Sequence, residues 1–405
     1  MTEMTSDTRT DSIADAQRAL IRLCGAGFVA YCSYAICRAP LLPLFARGLG
    51  ADAPMVGFVV GASTLTGIAL KLPAGAWSDV LGRRPLLVAG GLVFALLPLT
   101  YLGVGSLGAL VALRFVHGSA TAIFGPVASA SLSDIAPATR RATWLSTYST
   151  TQAAGQALGP IVAGYLIASG RFDLAFITAA GLGMFVPLIV SAWPRTRTEH
   201  TLADAAPISP VQQFVRGVSE IVRERLILAT SAAQAAQYVL NGTLNAFLPL
   251  FARDVLGLHA TLIGWTFGVQ TLTILATRPV MGIAADRLGH RRVIVAGLTL
   301  CGAAVVLLSF ATALATLLPA IVAYAIGVAV TTAATSAFIT DLARRAHYGA
   351  AHGVFGTIYD VGDALGPIAA GLLVAHVGYG HTFRIMGSVT LTAAVLFSLV
   401  SHRRS

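Results

Sequence analysis

The sequence is poor in charge. Asp, Glu, Lys and Arg together make up 11% of its 405 residues, against about 25% in an ordinary soluble domain. Apolar residues make up 56%, and the mean hydropathy is +0.77. A water-soluble globule cannot hide that much apolar surface, so the bilayer is read as the solvent. Lysine is almost absent: Lys71 is the one basic residue among 27 that is not arginine. The four cysteines, Cys24, Cys32, Cys37 and Cys301, form no close Cys-x-x-Cys pair. They read as small apolar helix residues rather than a metal site. No metal-ligand cluster, phosphate-binding loop or nucleophile elbow is present, so no metal, cofactor or catalytic centre is expected. The first 17 residues are polar and lack a basic segment leading into a short apolar one, which predicts no cleavable signal peptide.

What is present is a succession of long Leu-, Ala-, Val- and Gly-rich runs. Barrel strands would alternate over about ten residues; these runs do not, and they predict helices. With about 20 apolar residues per crossing, twelve spans are predicted: 20–46, 54–77, 85–104, 107–132, 142–168, 172–193, 226–251, 259–282, 292–312, 314–339, 349–376 and 382–401. They are numbered 1 to 12 below. One long connection, 194–225, divides the chain six and six. Within it Val211, Phe214, Val215, Val218, Ile221 and Val222 recur at helical spacing, predicting an amphipathic helix on the membrane surface. The predicted units are therefore 1–193, the loop 194–225, and 226–405.

The net charge of +10 raises nucleic acid as a partner, but its placement excludes that need. Nineteen arginines fall on the side of the termini and the central loop, while Arg47, Arg171 and Arg253 are the three on the other side. By the positive-inside rule both termini and the central loop are cytoplasmic.

The chain is also duplicated. Gly75-x-x-x-Asp79-x-x-Gly82-Arg83-Arg84, between spans 2 and 3, returns as Gly282-x-x-x-Asp286-x-x-Gly289-His290-Arg291-Arg292 between spans 8 and 9, and 282 − 75 = 207. The same shift relates Asp134 to Asp341, Thr64-Leu65-Thr66 to Thr271-Leu272-Thr273, and Ala157-Leu158-Gly159-Pro160-Ile161 to Ala364-Leu365-Gly366-Pro367-Ile368. A six-helix unit used twice in one orientation is a transporter architecture, with the substrate site between the halves.

Over essentially its whole length the chain resembles the major facilitator superfamily of secondary transporters. In that family the Gly-x-x-x-Asp-x-x-Gly-Arg-Arg loop joins helices 2 and 3. Arg114-x-x-x-Gly118 resembles the helix 4 motif. Gly155-x-x-x-Gly159-Pro160, with Gly164, and Pro40-x-x-Pro43 resemble the pattern of proton-coupled drug antiporters. His290 departs from Arg83, and Ala163 and Ser146 stand where that branch commonly has glycine. The resemblance implies an all-α membrane protein with 12 transmembrane helices in two pseudo-symmetric six-helix bundles. It implies a small-molecule substrate exchanged for protons by alternating access in a bacterial inner membrane. The alternative is a proton-linked importer of an organic anion. No feature requires an oligomer, so a monomer in the lipid bilayer is expected. With no ATP site visible, transport must draw on an ion gradient.

Candidate residues follow. By resemblance, Asp79, Arg83 and Asp134 form a gate cluster, with Asp286, Arg291 and Asp341 in the other half. Gly75, Gly82, Gly282 and Gly289 bound the gate turns, Gly75 and Gly282 allowing close helix approach. Asp360 and Asp363, three apart in the middle of span 11, share one helix face. Buried charges in a membrane are costly, and mutual repulsion favours a proton on one of the two. They are the proton-coupling candidates, joined through the resemblance by Arg114. Tyr31, Tyr34 and Arg38 form a stripe on span 1, with Arg38 available to a substrate anion or to Asp360 or Asp363. His117 lies one turn from Arg114. Gln152 and Gln156 of span 5, and Gln237, Asn241 and Asn245 of span 7, complete a predicted polar cavity, the span 7 stripe beginning at Gln234. Lys71 and Arg278, 207 apart, are expected to snorkel or to pair with the gate acids.

Overall fold

The computed structural model describes residues 4–137, 139–193, 224–343 and 348–402. Side chains are described from Ala16 onward, apart from positions 72, 75, 76, 79, 80, 142 and 348–350. The central-loop helix expected around Val211–Val222 lies outside the described residues, as do the side chain of Asp79 and the contacts of Gly75.

Among the described residues nine helices are long and apolar enough to cross a membrane by length and composition, and the last of these, Ala351–His402, contains two passes. They separate at Gly378, whose φ of 74° breaks the helix Tyr348–His402 into spans 11 and 12 without a loop. Two further helices, Arg141–Ile167 and Arg225–Asp254, make spans 5 and 7; their polar stripes keep them below the hydropathy of the others. The remaining helices are Ala53–Leu81 (span 2), Arg83–Thr100 (span 3), Leu107–Ile135 (span 4), Phe172–Ser191 (span 6), Ala260–Leu288 (span 8), His290–Leu308 (span 9) and Leu314–Leu342 (span 10). The fold is a twelve-pass helical membrane protein.

Local chemistry explains several helix ends. Asp52 accepts a hydrogen bond from the Met55 amide at 2.9 Å, and Ser106 accepts one from the Ala109 amide at 3.3 Å. Both cap helix starts. Spans 2 and 3, and spans 8 and 9, are joined through one residue each. Gly82 (φ 88°) and Gly289 (φ 87°) end one helix and begin the next. That left-handed backbone is costly for any side chain. Gly282 plays no such part: a Cβ there would meet nothing within 4 Å. The close approach expected at Gly282 is not made in this arrangement.

Span 1 is not the continuous helix predicted at 20–46. It runs as Met4–Ile36, breaks, and resumes as Leu41–Gly48. Pro40 has no amide hydrogen to continue the ladder, so Cys37, Arg38 and Ala39 sit in a turn.

The two halves pack alike. Span 1 lies on span 5, 2 on 4 and 3 on 6; correspondingly span 7 lies on 11, 8 on 10 and 9 on 12. The halves meet along two seams, 2 with 11 and 5 with 8. These seams are related by the same shift of 207. A Cβ on Gly57 would lie 2.1 Å from the Pro367 carbonyl oxygen, and one on Gly264 2.5 Å from that of Pro160. A Cβ on Gly371 would lie 2.6 Å from the Ala53 oxygen, and one on Gly164 2.7 Å from that of Ala260. Small residues let backbones touch where lipid offers no hydrophobic drive to association.

Both seams lie toward the face opposite the termini. There a single apolar core joins the halves, with Leu41, Leu44 and Val60 beside Leu244, Phe247, Phe251 and Phe383. Toward the face carrying the termini the core divides. One cluster around Leu23, Phe124, Tyr148 and Trp193 belongs to the first half, and two others, around Leu298 and around Ile339, belong to the second. Among the described residues the molecule is sealed at the far face and divided at the terminal face. A recess of about 530 Å³ on the terminal half of span 5 is lined by Thr143, Ser146, Thr147, Thr150 and Thr151.

Candidate functional site

The break in span 1 places Arg38 in the interior. Its Nη2 donates to Asp363 Oδ2 of span 11 at 2.9 Å. Asp363 also accepts from Asn241 Nδ2 of span 7 at 2.8 Å and from Thr64 Oγ1 of span 2 at 3.4 Å. One turn nearer the terminal face, Asp360 pairs with Lys71 Nζ of span 2. Both cations belong to the first half and both acids to the second, so two ion pairs cross the seam near mid-membrane. Leaving either acid without its partner would bury an uncompensated charge, a loss of about 3–5 kcal/mol in fully buried pairs.

The expectation that Lys71 snorkels or joins the gate acids is corrected here, because it reaches the mid-span acid instead. The signal was present: the only lysine of the chain interrupts an otherwise apolar stretch of span 2.

Arg114 and His117 lie inside the first bundle rather than on an open wall, each with no exposed surface. Arg114 Nη2 donates to Ser63 Oγ at 2.6 Å, its Nη1 to Tyr101 Oη at 3.4 Å and its Nε to the Val59 carbonyl at 3.4 Å. Among the described residues no carboxylate lies within ion-pair distance of it. His117 shares a hydrogen bond of 2.9 Å between Nδ1 and Tyr101 Oη, and Tyr34 packs edge-on against its ring at 5.2 Å. His117 Nε2 is buried without a partner. Tyr34 Oη in turn donates to Ser63 Oγ at 3.4 Å. Ser63 and Tyr101, which complete this network, carry no charge or motif that would single them out in sequence.

The span 7 stripe divides. Gln237 is buried, donating to Tyr324 Oη at 3.5 Å and accepting from Gln234 Nε2 at 2.8 Å, so this end of the stripe ties span 7 to span 10. Asn241 serves Asp363, and Asn245 is half-buried. On span 5, Gln152 lies beside Tyr31 and Tyr148, while Gln156 is exposed. Tyr238 of span 7 and Tyr359 of span 11 stack at 4.5 Å between ring centroids, an aromatic pair next to Asp360 that the sequence reading missed.

The gate turns are organised within each half. Arg83 Nε contacts Asp134 Oδ2 at 3.0 Å and Arg83 also donates to Ser78. In the second half the contact with Asp341 is made by His290 Nε2 at 2.9 Å. Arg291, expected there, donates instead to the Ser401 carbonyl and lies over the Phe338 ring at 5.9 Å. The reason is register: Arg291 is the copy of Arg84, and His290 is the copy of Arg83. Asp286 is exposed.

Comparison with known proteins agrees with this architecture. The chain is 22% identical over 384 residues to an MFS-type transporter of Methanocaldococcus jannaschii, covering 94% of this chain and 95% of that one. It is 26% identical over 344 residues to the multidrug resistance protein MdtH of Salmonella arizonae, covering 82% and 81%. Its fold matches the crystal structure of a bacterial homolog of the human lysosomal transporter Spinster, in an inward-facing and unoccupied conformation, with a TM-score of 0.82 at 15% identity, covering 95% and 97%. Residues 23–261 and 230–405 each match the sequence description of the Major Facilitator Superfamily. The chain belongs to the Major Facilitator Superfamily and is a multi-pass membrane transporter of small molecules.

Proposed function

We propose that this transporter is a proton-coupled exporter of small organic molecules, working by alternating access as a monomer in the bacterial inner membrane with both termini cytoplasmic. The observation that carries the reading is the pair of ion contacts, Arg38–Asp363 and Lys71–Asp360, spanning the seam between the halves. A proton on either acid removes the attraction that ties span 11 to the first half. A deprotonated acid restores it. Proton occupancy and the relative position of the halves are thereby linked, which is what coupling requires.

The arginine distribution supports the terminal face as cytoplasmic. On that orientation the far-face seal and the divided terminal face correspond to an inward-open state. The Arg83–Asp134 and His290–Asp341 contacts hold the two short turns at that face. Closing it requires the turns to approach the opposite half. The multidrug name of the relative in Salmonella arizonae favours export. The importer reading uses Arg38 and Arg114 together as anion ligands, and the capture of Arg38 by Asp363 counts against the first of them.

The test is substrate movement in inverted membrane vesicles, with and without a protonophore. Uptake that collapses with the protonophore, and that Asp360→Asn or Asp363→Asn uncouples, supports the proposal. Uptake indifferent to the proton gradient would exclude it.

A further inference from the structure

Within that reading, the two acid–cation pairs are not equivalent, and the difference identifies a substrate class. Asp363 is held by three donors, and its cation is a guanidinium set in a helix break. Among the described residues Asp360 has one hydrogen-bond partner, a primary ammonium on a flexible stem. The Lys71 side chain is 42% exposed while that of Asp360 is 11% exposed. Displacing Lys71 moves a cation that is already partly exposed. Displacing Asp360 would leave a carboxylate buried and unpaired, a far larger penalty. The pair therefore opens from the lysine side, and what replaces lysine must be positive.

We propose that Asp360 is the binding site for an organic cation, and that Lys71 is a tethered competitor which occupies the site when substrate is absent. The surroundings suit an aromatic or quaternary cation. Tyr359 precedes Asp360 on span 11, stacks on Tyr238 and packs edge-on against Phe355 at 5.3 Å between centroids. Tyr31 of span 1 lies within electrostatic range of Tyr359. Half-buried tyrosine faces attract cations and cover an apolar body. The charged and titratable groups within range of Asp360 are Lys71 of span 2, Arg38 of span 1, Asp363 on its own helix, and Tyr238 and Tyr359; Arg278 of span 8 acts on the two tyrosines. Three cations then compete for one carboxylate: the ammonium of Lys71, the substrate and a proton. Lysine keeps the site charged-compensated between substrate and proton, so neither an empty site nor an unpaired acid has to cross the membrane.

The inference rests on the transport reading but is tested without transport. The probe is equilibrium binding of tetraphenylphosphonium, a permanent organic cation, to the purified full chain at mildly alkaline pH, with benzoate as the anionic counterpart. Lys71→Gln removes the competitor and should tighten tetraphenylphosphonium binding about tenfold. Lys71→Arg, which grips a carboxylate with two donors, should weaken it. Asp360→Asn should abolish it, and benzoate should not compete. Affinity in Lys71→Gln that is unchanged or weaker, or displacement of tetraphenylphosphonium by benzoate, overturns the inference even if vesicle transport proves proton-driven. Should Lys71→Gln fail to fold, the wild-type protein decides: affinity should fall as pH is lowered and protons take Asp360, and a flat profile overturns the inference.

Discussion

His290 and Asp341 meet at 2.9 Å in the same relative position as Arg83 and Asp134 in the other half. The contact has been kept while its donor changed from a permanent cation to an imidazole, which is charged only when protonated. Asp341 is 62% exposed, so the pair is a surface contact worth at most about 1 kcal/mol. His290→Arg should raise thermal stability by no more than that, and His290→Leu should lower it by a similar amount. A loss above about 3 kcal/mol in His290→Leu would mean the turn is held by a buried network instead.

The glycine seams give a sharper contrast. Gly57→Ala must push span 2 away from the Pro367 carbonyl, and overpacking of this kind costs about 1–3 kcal/mol. Gly282→Ala meets open space within a helix and should be neutral or stabilising by up to about 1 kcal/mol. Spin-label distances across the far face should lengthen in Gly57→Ala and stay unchanged in Gly282→Ala. Equal behaviour of the two variants would remove the seam from the account.

Arg114 sits fully buried with hydroxyl and carbonyl partners but, among the described residues, no acid. A buried charge without a counter-ion is a burden on stability that a transporter keeps for function. Arg114→Leu should unfold at a temperature no lower than wild type while transport falls at least about tenfold, or ~1.4 kcal/mol in the barrier. Marked thermal destabilisation with transport intact would make Arg114 a packing residue.

Asp363 and Asp360 should separate by stability. Asp363→Asn strands Arg38, whose Nε is already buried without a partner, and should cost about 3 kcal/mol. Asp360→Asn strands a half-exposed lysine and should cost under about 1 kcal/mol. Chemical denaturation in detergent orders the two, and the reverse order would contradict the assignment of Asp360 as the exchangeable acid.

Much of this was readable in the chain. Spacing alone revealed the shift of 207, the twelve passes and the acid pair of span 11, because each depends on periodicity that survives without coordinates. Partner choice did not. Whether Lys71 meets a gate acid or Asp360 depends on how spans 2 and 11 rotate and slide against each other, and the seam glycines set that. The break at Arg38 was hidden because proline near the end of an apolar run reads equally as a kink or a terminus. Gln237 looked like cavity lining because a polar stripe has the same spacing whether it faces a cavity or, as here, Tyr324 of a neighbouring helix. In the second half the contact with Asp341 falls one position before the expected Arg291, because the copy of Arg83 is His290.

If a proton and a substrate exchange at the seam acids, binding one must release the other. The direct measurement is proton release when tetraphenylphosphonium is added to purified protein in weakly buffered solution, followed with a pH indicator. Release is expected near the pH at which cation affinity changes, and none from Asp360→Asn. Cation binding by the wild-type protein across that pH range with no proton released would contradict that exchange.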